Sequence, residues 1–89
     1  MTIQNKSLAA HLETLKTLLS KDMSAPTKSD YDAVMNVKNA LKEYRADTLH
    51  ESDDYARGLA LMSAYRCLNQ MEDYKETHGT WVKPDVAKV

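Results

Sequence analysis

Phenylalanine is missing from this 89-residue chain, and glycine and proline occur only twice each. So little glycine and proline leaves few tight turns, and the apolar residues that remain are aliphatic and methionine-rich, a helical composition. There is one cysteine, Cys67, so no internal disulfide framework can hold the fold. It is expected to be a buried, unreactive thiol, since free cysteine is among the most buried residue types. Long hydrophobic runs are lacking as well. The longest, LALM at residues 59–62, is far short of the about 20 residues of a membrane span, and the opening MTIQNKSLAA has no apolar signal-peptide core. These features predict a soluble protein of a reducing cytoplasm.

Neither sign of charge dominates: 12 basic residues meet 13 acidic ones, for a net charge of −1. The concentrated basic face of a nucleic-acid binder is absent, and so is the acidic excess needed to imitate the phosphates of a duplex. Residues 29–57 hold seven acids against four bases, which mildly favours a basic patch on a partner.

Catalytic and metal signatures are also lacking. His11, His50 and His78 are scattered, with no second ligand type at metal-binding spacing. Asp30-Tyr31-Asp32 opens like a calcium loop but lacks the glycine and the closing acid that such a loop needs. No nucleophile elbow and no phosphate-cradling loop occur. Neither an enzyme nor a cofactor site is expected.

What is present is amphipathic periodicity. Leu8, Leu12, Leu15 and Leu19 recur at spacings 4, 3, 4, with Leu18 widening the stripe, and predict a first helix over about 6–22. Pro26 breaks the chain after it. Ser29 or Thr27 caps a second helix over about 30–47, with Asp30 and Asp32 in its first turn. Its buried face is Val34, Val37, Leu41 and Tyr44. Ser52-Asp53-Asp54 reads as a hydroxyl cap with two acids at the positive end of a helix dipole, so a third helix is predicted over 53–78. Gly79 stands ready for the left-handed position that ends it. The expected fold is an all-α three-helix bundle forming one domain over 1–79. An extended tail over 80–89 follows, with Trp81 folding back near Met71 and Tyr74.

The third helix has apolar residues on two sides. At 100° per residue, Ala56, Ala60, Leu61, Ala64, Cys67, Leu68, Met71 and Tyr74 share one arc. Tyr55, Leu59, Met62 and Arg66 form a narrow stripe on the opposite side, and Tyr65 lies between. One reading makes this helix central, with a neighbour against each side. The other leaves the stripe exposed, as a homodimer seam or as a surface laid into another protein's groove, and tyrosine, methionine and arginine are enriched at such contacts. The exposed reading is favoured by a narrow margin. Tyr55, Leu59, Met62, Tyr65 and Arg66 are the candidate protein-binding residues, and the expected function is that of a small regulator, inhibitor or adaptor of bacterial or phage type that docks on another protein.

Two alternatives compete with it. One is a nucleic-acid-associated regulator touching phosphate through Lys16, Lys21 and Lys28, and the other is a purely structural dimerisation module. Residues 44–66 can be read as a helix–turn–helix, but its second helix would present Ser52-Asp53-Asp54 to phosphates, the wrong sign. Four acid–tyrosine pairs (Asp30-Tyr31, Glu43-Tyr44, Asp54-Tyr55, Asp73-Tyr74) either mark half-buried tyrosines beside solvated acids or form an acidic, tyrosine-rich surface.

Overall fold

The computed structural model describes residues 3–21 and 25–81. It contains three α-helices in the order α1 (Lys6–Leu19), α2 (Lys28–Lys42) and α3 (Glu51–His78), with a short 3-10 turn over Ala46–Thr48 between the last two. Helices account for 79% of the described residues, against roughly one third in an average globular protein. Each helix packs on the other two. At about 1.5 Å per residue, the 28 residues of α3 account for most of the 46 Å length of the molecule.

The helix ends differ from the sequence expectation for local reasons. Asn5 caps α1, its side chain accepting the Leu8 N–H at 3.0 Å. The helix closes at Leu19 rather than at 22 because the Ser20 N–H turns back to Lys16 and Thr17 carbonyls, while the Ser20 hydroxyl donates to the Thr17 carbonyl at 2.6 Å. Asp22, the expected last residue, lies outside the described residues. Thr27, not Ser29, caps α2, and it does so with a reciprocal capping box: Thr27 Oγ1 accepts the Asp30 N–H at 3.1 Å and Asp30 returns a bond from the Thr27 N–H at 3.0 Å. That box starts α2 two residues before the predicted 30. The helix ends at Lys42 instead of 47, and Thr48 Oγ1, bonded to the Arg45 carbonyl at 2.7 Å, tightens the following turn. The cap of α3 is His50, whose Nδ1 accepts the Ser52 N–H at 3.2 Å, so Ser52 lies inside the first turn and the helix starts at Glu51 rather than 53. Gly79 ends it with φ 81, in the left-handed region that glycine enters without penalty.

One core joins the three helices: Leu8 and Leu15 of α1, Val34, Val37 and Leu41 of α2, and Ala64, Cys67, Leu68 and Met71 of α3. Four of the nine come from α3, all on its small-residue arc, and Ala56, Ala60, Leu61 and Tyr74 on the same arc are half-buried. Both other helices therefore pack against one side of α3. The arrangement in which α3 is central and covered on both sides does not occur.

Polar ties fix this packing. Asp53, 1% exposed, accepts N–H groups from Gln4 and Asn5 at 2.9–3.1 Å. Its carboxylate thereby joins the start of α3 to the chain entering α1. Arg57 donates to the Leu41 carbonyl at 3.1 Å, satisfying a free carbonyl at the end of α2, and is held by Asp54 at 2.7 Å. Trp81 folds back as expected, its indole N–H donating to the Met71 carbonyl at 3.0 Å. Its stacking partner, however, is Tyr31 of α2 at 4.7 Å, whereas Tyr74 stacks on His78. Thr80 and Trp81 are the described part of the predicted tail, and the remainder, 82–89, lies outside the described residues.

Candidate docking surface

With one side of α3 committed to the core, the opposite side faces outward. Tyr55 is 63% exposed, Met62 59%, Leu59 49% and Tyr65 43%, and these are the exposed large hydrophobics of the described chain. Arg66 continues the stripe, also exposed, and makes no salt bridge among the described residues. All five residues singled out from sequence thus fall on one continuous outward surface. Tyr65 sits at its α2-facing edge, where Lys38 Nζ stands 5.8 Å from the ring centroid.

The structure adds a feature that the α3 pattern alone did not indicate. Beside the stripe, an open groove of about 400 Å3 lies between α1 and α3, lined by Leu12, Leu15, Lys16, Leu19, Leu59 and Ala60. Leu59 belongs to both groove and stripe, so the apolar surface runs from α3 onto the flank of α1. The signal for it was present in the α1 stripe, which is wider than one helix contact requires. Leu8 and Leu15 are fully buried, while Leu12, Leu18 and Leu19 are only partly so.

Gly58 lies along the same outer face, between Tyr55 and Met62 in height. A Cβ placed there would meet nothing within 4 Å. A glycine inside a helix costs roughly 1 kcal/mol relative to alanine, and nothing within the described chain requires this one.

The remaining sequence features resolve into structural roles. Three of the four acid-linked tyrosines are engaged internally. Tyr31 donates to Glu72 at 2.7 Å, Tyr44 bonds Ser7 at 2.6 Å, and Tyr74 stacks on His78. The Glu72 carboxylate holds the Tyr31 phenol protonated and pushes its pKa above the ordinary value. Of the four only Tyr55 stands exposed without such a contact among the described residues, so these pairs do not form one acidic, tyrosine-rich surface. Burial pushes the Cys67 thiol above its ordinary pKa, with the charge of Asp30 adding to it. Among the described residues, no group of three or more His, Cys, Asp or Glu side chains is placed to hold a metal ion, and no helix is long and apolar enough to cross a membrane. The basic residues of the nucleic-acid reading are partly spent within the fold. Lys28 pairs with Asp32 at 3.0 Å, and Lys21 lies 3.9 Å from Asp30.

No protein-family model matches this chain, and neither does any curated protein or solved structure.

Proposed function

We propose that this chain is a small non-enzymatic regulator or adaptor that docks on another protein surface through the outer face of α3. The observation that carries this reading is the uncovered stripe itself: Tyr55, Leu59 and Met62, each about half exposed or more, aligned at i, i+4, i+7 on a helix whose other side is already packed. Apolar residues at this spacing are the usual anchors of a helix against a partner groove or helix. Scattered surface hydrophobics need no explanation, but a contiguous row of the largest ones, with an aliphatic groove beside it, matches the composition of interface centres.

The test places a charge in the middle of the stripe. Met62→Glu is expected to leave the thermal melt nearly unchanged, because surface substitutions usually stay within about 0.5 kcal/mol, while association with the protein's partner in an extract of its native host disappears. Ala64→Glu, on the fully buried side of the same helix, is expected to lose several kcal/mol or fail to fold, because it buries an unpaired carboxylate. A Met62→Glu protein that melts like Ala64→Glu, or that keeps every association of the parent, sinks the reading.

A further inference from the structure

We infer that the partner of this face is a second copy of the same chain, its α3 lying antiparallel across the first about a two-fold axis midway between residues 60 and 61. The inference rests on the docking reading above and names its occupant. The stripe is not merely apolar but has a heptad register. Tyr55, Leu59 and Met62 follow at heptad spacing, and Ser52, Arg66, Asn69 and Asp73 continue the same row as polar positions, so the apolar seam that two helices share in a coiled coil is confined to its centre.

An antiparallel pair about that axis sets Ser52, Leu59 and Arg66 of one copy opposite Asn69, Met62 and Tyr55 of the other, and Asp73 lies beyond the overlap. Leu59 meets the second copy's Met62 twice over and forms a dry centre. Tyr55 meets the second copy's Arg66 at both ends, where the guanidinium can lie on the ring face and reach Glu51, one turn before Tyr55. Ser52 meets Asn69 outside that. A parallel pair would instead place Arg66 against Arg66. Charge therefore chooses the antiparallel arrangement, and the opposed helix dipoles favour it too.

Gly58 finds its reason here. In this register it flanks Tyr65 of the second copy at nearly the same height, and the open space beside its backbone is where that ring lies. The seam overlaps residues 51–70 of each copy, about 30 Å of helix. Along this length the α1 flank of the groove, with Leu12 and Leu19 half-buried, extends the apolar surface that the second helix can cover, against the about 800 Å2 per partner of a stable interface. The area is modest for an obligate dimer, so the expected association is reversible, in the micromolar range.

Sedimentation velocity on the full chain from micromolar to near-millimolar concentration measures the association. Disulfide capture between singly substituted copies measures the register. The expected result is a concentration-dependent monomer–dimer equilibrium that Met62→Glu abolishes while keeping its melt. An equimolar mixture of Tyr55→Cys and Arg66→Cys chains should form the mixed disulfide at least tenfold faster than Tyr55→Cys chains form their own. Cys67 is 6% exposed and stays out of the exchange. A folded parent chain that remains monomeric throughout overturns the inference, and so does preferential Tyr55→Cys self-capture, which reports a parallel pair. The two readings separate cleanly. A monomeric parent whose Met62→Glu variant still loses binding to a different protein overturns the second-copy inference and leaves the docking face standing. A Met62→Glu variant that no longer folds overturns both.

Discussion

On its inner side α3 presents Ala64, Cys67, Leu68 and Met71, all under 7% exposed. On its outer side it presents Tyr55, Leu59 and Met62, none under 49%. The two sides have similar chemistry and different shape. The inner side is small toward its N-terminal half, with Ala56, Ala60 and Ala64 one above another, and the larger Leu68 and Met71 fill the core farther along the helix. The outer side puts its bulk where the inner side is small. Hydrophobicity alone does not say which side joins a core. Close approach does, because contact with two neighbouring helices needs room at the backbone, and the dense packing of a protein interior leaves none to spare. The bulky side stays exposed.

The largest separation between the two sides should appear on truncating one methionine from each. Met71 is fully buried at the junction of the three helices, and its carbonyl also receives the Trp81 indole. Met71→Ala is expected to cost about 2–5 kcal/mol in denaturant unfolding, the usual range for a large-to-small change that leaves a cavity. Met62→Ala should stay within about 0.5 kcal/mol when measured at low concentration. Equal losses at the two positions would erase the distinction between the sides.

A second comparison uses two acids at the N-terminal end of the same helix. Asp53→Ala removes the acceptor for the Gln4 and Asn5 N–H groups and leaves them partly buried without a partner. A loss of about 1–3 kcal/mol is expected, together with faster hydrogen exchange at the first turn of α1. Glu51, two residues earlier on the outer side and exposed, has no such bonds, and Glu51→Ala should cost no more than the few tenths of a kcal/mol of its interaction with the helix dipole. Loss of the same size at both positions would mean that Asp53 acts only as a dipole partner, not as a tie between α1 and α3.

That pair also shows where sequence reasoning stops. Asp53 and Asp54 were legible as acids at a helix start, and any helix N-terminus would favour them for the same reason. What makes Asp53 different is a pair of backbone donors 48 and 49 residues away, and no local pattern carries that. The helix faces were legible because periodicity is a property of neighbours: Val34, Val37 and Leu41, and Leu8 with Leu15, are buried as their spacing requires. The ends were less so. His50 could replace Ser52 as the cap because an imidazole nitrogen accepts an N–H as a hydroxyl does, which residue preference does not anticipate. The stripe of Tyr55, Leu59, Met62, Tyr65 and Arg66 was readable as a set, but its exposure depended on where α1 and α2 lie. The α1 half of the groove emerges only when α1 is seen beside α3.

The smallest effect has the opposite sign and tests the outer side from within. Gly58→Ala adds a methyl group into open space and removes the backbone freedom that glycine brings to the unfolded chain. In dilute protein it should therefore stabilise by up to about 1 kcal/mol, raising the melting temperature by roughly 4–8 °C per kcal/mol for a chain of this size. In the antiparallel pair the same methyl group occupies the space taken by Tyr65 of the second copy, so association should weaken although the isolated fold is stronger. Thermal melts at low and high concentration would read both effects from one variant. The gain belongs to the dilute sample, and it should shrink or reverse where the parent chain is dimeric. A uniform gain at every concentration would show that Gly58 is simply tolerated and makes room for no second copy.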